Sequence, residues 1–370
     1  MKRTLLAALV GLSSFGSFAQ QPHHYDLVVG TYTNACASEG IYVFDFDTQN
    51  FEAKLKSHTQ KVQNPSYLTV SADKKRIYAT NENGAESYVS AFSLDNTQIK
   101  FLNKVAAEGA DPCHIINDEK NVIVANYTGG SIAVFEKTKT GKLKTAKQIV
   151  RHKGKGHNPK RQESAHVHMV HFSQDHQYLL VNDLGLDKIY VYRYNPDGGT
   201  QTLTFAQAYD LKAGSGPRHL AMSPDGKTIY LLQELDGSLS VLHFENGQLS
   251  LVQETNMLAA DFSGEISAAD IHLSADGRYL YATNRGAGNS IATFKVNPAN
   301  GQITKINEQK TGGNWPRNFT FSPDENLILV AHQYSNDIII FKRDKETGLL
   351  EPTNKKIELC SPVCLVFVEQ

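Results

Sequence analysis

One unit recurs along this chain: a Pro, three or four strand-forming residues, Ser-x-Asp, a second apolar run, a polar tip and a third run. It appears as NPSYLTVSADKKRIYATNENGAESYVSAFSLD from Asn64, as DPCHIINDEKNVIVANYTGGSIAVF from Asp111 and as GPRHLAMSPDGKTIYLLQELDGSLSVL from Gly216. Equivalent positions Pro65, Pro112, Val167, Pro217, Ala268, Pro316 and Pro362 lie 46 to 55 residues apart, which is a blade-sized period. Within each unit, β-branched and aromatic runs are bounded by Gly, Pro, Asn and Asp, and no long stretch follows a 3.6-residue period. SADG and SPDG are tight-turn chemistry, with Asp capping the turn and Gly taking the positive φ. They should join the innermost strand of a blade to the next strand outward.

The two ends of the chain complete each other. SPVCLVFVE at the C-terminus matches an innermost strand, whereas YDLVVGTYTNACASEGIYVFDFD from Tyr25 matches the later strands of a blade. Pairing them in one blade closes the ring and leaves no open sheet edge. The expectation is an all-β fold: a seven-bladed β-propeller, four antiparallel strands per blade, forming a single domain over 20–370. Residues 1–19 read as a cleaved secretory signal. Lys2 and Arg3 precede a short apolar run, and Ser17-Phe18-Ala19 supplies the small residues of a cleavage site. The protein is therefore expected to be exported, periplasmic or extracellular.

Lys and Arg total 37 against 38 Asp and Glu, a net charge of -1. That balance supplies no field for a polyanion, so nucleic acid is not an expected partner. Nothing after the leader reaches transmembrane length, so a membrane is not expected either, and a monomer or weak oligomer is. Cys36, Cys113, Cys360 and Cys364 are too few for a disulfide scaffold. Buried thiols are the expectation, while an exported chain can pair some of them; the connectivity stays open.

The start of an innermost strand and the end of the second strand crowd the same rim of a propeller channel. The residue after the repeat Pro reads Ser66, Cys113, His168, Arg218, Ala269, Arg317 and Val363 around the ring, and the next position adds Tyr67, His114, His219, Asp270 and Asn318. Second strands end in Asn81-Glu82, Asn126-Tyr127, Asn182-Asp183, Gln233-Glu234, Asn284-Arg285 and His332-Gln333. Arginines, histidines and carboxylates gathered on one rim can bind a small anion by bidentate contacts, or equally stitch blades together. Glu234, set among apolar neighbours and a His, is expected to have its pKa moved toward neutrality. Arg151, Lys153, Lys155, Lys160 and Arg161 form a basic run in the longer connection before His166, readable as a flap over the mouth or as a solvated loop. His166 and His168 share one side of a strand, but no third ligand stands at metal-binding spacing, so neither metal nor cofactor is expected. No Gly-rich phosphate loop, G-x-S-x-G or H-E-x-x-H occurs.

The stretches NPSYLTVS, HNPKRQESAHVHMVHFSQD, NDLGLDKIYVY, GSGPRHLAMSPDGKTIYLLQEL, ISAADIHLSADGRYLYATNRG and WPRNFTFSPDENLILVAHQYS resemble the seven-bladed propeller lactonase family. That family includes propeller-type 6-phosphogluconolactonases and the fungal carboxymuconate-lactonising enzyme. The resemblance covers essentially the whole mature chain; Val167 stands where the family commonly has Pro. It implies a metal-independent hydrolase acting on a sugar lactone such as 6-phospho-D-glucono-1,5-lactone, with His168, Arg218, Glu234 and Arg285 as catalytic residues. In that reading Glu234, with His168, activates water, while the arginines stabilise the oxyanion. His166, His219, Arg317, Asn284, Gln333 and Glu82 then bind an anionic or sugar-like substrate. The alternatives are a muconate-type cycloisomerase on the same rim and a non-catalytic propeller binding a glycan or a protein through Tyr127, Trp315 and Tyr334.

Overall fold

The computed structural model describes residues 23–95 and 98–369, and in it each Ser-x-Asp of the repeat closes a hairpin in the same way. Ser71, Ser173, Ser223, Ser274 and Ser322 each donate to the Asp two residues on, over 2.5 to 2.6 Å. Each of these hydroxyls also accepts from the N–H five residues on, at 2.9 to 3.0 Å. The residue after the Asp has a left-handed backbone throughout: φ is 71° at Gly226 and Gly277, and 59°, 55° and 54° at Lys74, His176 and Glu325. Gly fits this position without a Cβ penalty; the other three accept the strain because the Ser and Asp bonds hold the turn.

These hairpins build seven four-stranded antiparallel sheets. Their innermost strands, which define blades 1 to 7, are Pro362–Glu369, Leu68–Val70, Pro112–Asn117, Val167–Phe172, Pro217–Met222, Ala268–Leu273 and Pro316–Phe321. The expected ring closure is present. Pro362–Glu369 pairs with His24–Thr31, Tyr25 opposite Glu369 and Gly30 opposite Cys364, so blade 1 is woven from both ends of the chain. The signal segment expected at 1–19 lies outside the described residues.

The core sits between blades rather than at a single centre. Tyr230 and Phe294 fill the space between blades 5 and 6, Phe46 and Ile340 that between 7 and 1, and Ile123 and Val181 that between 3 and 4. Each fully buried aliphatic or aromatic side chain contributes about 1.5–3 kcal/mol by leaving water. Period-2 alternation sends both faces of every inner strand into such an interface.

The cysteines divide, which corrects the expectation of four thiols. Cys36 and Cys360 form a disulfide, while Cys113 and Cys364 are buried free thiols. Among the described residues no helix is long and apolar enough to cross a membrane.

Candidate active site

The candidate site begins at the start of the innermost strands. In blades 1, 3, 4, 5, 6 and 7 the pairing register carries one extra residue there, at Val363, Cys113, His168, Arg218, the Ala269-Asp270 pair and Arg317. A bulge of this kind releases a side chain from the pleat and re-aims it; Cys113, His168 and Arg317 reach the channel mouth in this way. A cavity of about 410 Å³ opens at that mouth, lined by Glu82, His168, Glu234, Arg285 and Arg317 among the residues the sequence singled out.

Glu234 is the electrostatic centre of one wall. Arg218 Nε lies 2.9 Å and Arg285 Nη2 3.0 Å from Glu234 Oε2, while Arg161 Nη2 donates to Oε1 at 2.5 Å. Burial alone would raise this carboxyl, but the guanidiniums of Arg285, Arg218 and Arg161 overcome it and hold the pKa down to about 2. The expected move toward neutrality is therefore overturned: three cations together stabilise the ionised form more than burial opposes it. The two buried guanidiniums are themselves fixed. Arg218, with 2% of its surface exposed, donates to Ala269 O and stands behind Glu234, outside the cavity lining. Arg285 Nε donates to Ser267 O at 3.0 Å, and its guanidinium lies 5.3 Å from the centre of the Trp315 ring.

His168 reaches the cavity with Nδ1 buried and without a protein hydrogen-bond partner. Its ring meets Tyr127 edge-on at 5.5 Å and His219 at 5.2 Å. Burial first, then the Arg218 charge, pushes its pKa well below the usual 6.5, so the imidazole is neutral at physiological pH. Four other expected residues stand back from the cavity. His166 stacks on Tyr127 at 4.5 Å and supports it. His219 points Nδ1 at Asp270 over 2.8 Å. Asn284 is fully buried, its Oδ1 accepting from Ser267 N, and Gln333 is absent from the lining. These positions share the sequence offset, but side chains before, on and after a bulge point in different directions.

Of the basic run, Arg161 alone turns in to line the cavity, reaching Tyr127 Oη at 3.3 Å as well as Glu234; Lys153, Lys155 and Lys160 are exposed. A second carboxylate, Glu82, occupies the wall formed by blade 2. Its Oε1 accepts from Ser66 Oγ at 2.5 Å and its Oε2 from Tyr32 Oη at 2.9 Å. Arg317 approaches it through Tyr32, donating to that hydroxyl at 2.9 Å. Burial outweighs the Arg317 charge and raises the Glu82 pKa. Tyr32 escaped the sequence reading, although it directly follows the second strand of the composite blade, His24–Thr31, at the offset that gives Glu82 and Glu234. Applying that offset to the N-terminal segment would have found it. Among the described residues no group of His, Cys, Asp or Glu is arranged to hold a metal ion.

Fold and site together define a seven-bladed propeller with a polar, arginine-rich cavity at one mouth of its channel. A family described as Lactonase, 7-bladed beta-propeller matches residues 26–367, and the chain belongs to this family. It is 34% identical to a 6-phosphogluconolactonase of Bacillus subtilis over 348 residues, covering 92% of this chain and 98% of the relative. It is 37% identical to a 6-phosphogluconolactonase of Formosa agariphila over 333 residues, 88% of this chain and 94% of the relative. The solved structure of a periplasmic gluconolactonase from Pseudomonas aeruginosa superposes with a TM-score of 0.89 at 36% identity, over 93% of this chain and 99% of that one.

Proposed function

We propose that the protein hydrolyses a sugar δ-lactone of the gluconolactone type, free or 6-phosphorylated, in an oxidising compartment outside the cytosol. One observation carries this reading: Arg161 and Arg285 present guanidinium N–H groups at the wall of a cavity large enough for one sugar ring, held by Glu234, which is ionised at neutral pH. Donors fixed in advance stabilise the oxyanion that forms when water adds to the lactone carbonyl, and need no reorganisation as the charge develops. In this role Glu234 anchors the arginines. Neutral His168 lines the same cavity and adds no positive charge to its wall. The names of the relatives support the substrate class. Export is supported by the signal-like leader, by the disulfide, which persists in oxidising surroundings, and by the periplasmic relative.

The test is ring opening of glucono-1,5-lactone and its 6-phosphate by purified protein at mildly acidic pH, where spontaneous opening is slow. Arg285→Ala is expected to lower kcat by roughly 10²–10³-fold, the usual effect of losing an oxyanion donor. No acceleration of either lactone by the wild type, or unchanged kcat in Arg285→Ala, would remove the proposal.

A further inference from the structure

Lactone hydrolysis needs a group that takes a proton from water and returns it to the ring oxygen. Glu234 is poorly suited, because three guanidiniums lie against its carboxylate and make it a weak base. Protonating it would break the cluster that holds the oxyanion donors. His168 is equally weak, since its imidazolium would lie buried beside Arg218. Glu82 stands three blades round the ring from Glu234, on the same cavity, in a contrasting environment.

The Glu82 carboxylate is held by two neutral hydroxyls, Ser66 Oγ on one oxygen and Tyr32 Oη on the other. Its backbone is locked as well: Glu82 N donates to Asn64 O at 3.2 Å, and Asn64 Nδ2 donates to Glu82 O at 2.9 Å. The charged and titratable groups acting on it are Arg317, Asp111, Tyr32 and the Cys113 thiol. Arg317 spends its contact on Tyr32, and burial keeps both Tyr32 and Cys113 protonated. Glu82 can therefore gain a proton without losing a salt bridge. Two carboxylates in one site, one pushed down by cations and one pushed up by burial, is the arrangement that separates an electrostatic role from an acid–base role.

We propose that Glu82 is the acid–base residue of this site, with Tyr32 and Ser66 positioning its carboxylate. The step rests on the lactonase reading above. As the water oxygen bonds to the lactone carbonyl carbon, one water proton passes to Glu82 and the carbonyl oxygen becomes the oxyanion facing Arg161 and Arg285. When the tetrahedral centre collapses, the C–O ring bond breaks and the departing ring oxygen takes the proton back from Glu82. The product is the open hydroxy acid, Glu82 is again a carboxylate, and no other reactant is consumed.

The experiment compares the pH profile of kcat/KM for gluconolactone in wild-type, Glu82→Gln, Glu82→Asp and Tyr32→Phe proteins, with gluconate binding and thermal midpoint as controls. Glu82→Gln is expected to lose about 10²-fold or more in kcat, the range of general acid–base catalysis, to lose the acidic limb of the profile and to keep gluconate affinity. Glu82→Asp keeps the limb at reduced kcat, which preserves the test should the Gln variant fold poorly. Tyr32→Phe removes a donor that favours the ionised carboxylate, so its acidic limb moves to higher pH. A folded Glu82→Gln or Glu82→Asp protein with wild-type kcat and an unmoved limb overturns the role of Glu82 while leaving lactone hydrolysis intact. A wild-type protein inactive on both lactones overturns the lactonase reading and this role with it.

Discussion

Glu234 shows how a charged side chain's role follows from its partners more than from its position. Above pH 4.5 the ionised carboxylate is bound by three arginines, and that binding contributes to stability as well as to the site. Its folded pKa of about 2 lies below its unfolded value near 4.5. The contribution, about 3 kcal/mol, is therefore complete above pH 4.5 and is lost as pH falls toward 2. His219 acts with the same sign at higher pH. Burial and then the Arg218 charge pull it from 6.5 to about 4, so below pH 6.5 the unfolded chain binds a proton that the folded one refuses. Urea unfolding should show stability falling from pH 6.5 downward, with the slope between pH 4.5 and 2 flattened in Glu234→Gln. An identical slope in that variant would show that Glu234 is not the group being protonated.

The connection from Arg151 to His166 acts through one buried amide. Gln162 is fully buried, donates to Leu184 O and Asp187 Oδ1, and accepts from Asn158 N, over 2.7 to 2.8 Å. Asp187 in turn accepts from Gly214 N and Gly216 N, which lie just before Arg218. Two segments that deliver arginines to Glu234 thus share one hydrogen-bond network. Gln162→Ala strands several buried groups and is expected to lower stability by about 1–3 kcal/mol. It should also lower kcat/KM by releasing Arg161, and adding Arg161→Ala should then reduce kcat/KM little further, because both changes remove the same contact. Fully additive losses would argue that Gln162 and Arg161 act independently.

Closure of the ring joins the two ends of the chain twice. Main-chain pairing of Pro362–Glu369 with His24–Thr31 is one link, and the Cys36–Cys360 disulfide, spanning 324 residues of sequence, is the other. A cross-link enclosing so long a loop restricts the unfolded ensemble strongly, and its removal should cost about 3–5 kcal/mol. Comparing urea midpoints of the wild type and a Cys36→Ser/Cys360→Ser protein checks this. An unchanged midpoint would mean that strand pairing and the blade 7–blade 1 core close the ring unaided. Blades 1 and 2 carry Tyr32, Ser66 and Glu82, so a loosened closure would disturb the wall of the cavity that holds the second carboxylate.

Blade number, strand order, hairpin turns and the composite blade were all legible from the residues, because each rests on local chemistry: period-2 alternation, Ser-x-Asp turns and a repeat of fixed length. The common offset also led to Glu82, His168, Glu234, Arg285 and Arg317 on one cavity. Tertiary structure alone decided which rim side chains face inward, since a one-residue bulge aims Arg317 at the cavity but leaves Arg218 behind Glu234 and His219 on Asp270. It decided too that Arg161 belongs to the site and that Cys36 meets Cys360. The opposite behaviour of Glu82 and Glu234 lies beyond any local pattern. A carboxylate's proton affinity sums charges and burial contributed by distant blades, and those distances exist only once the ring has closed.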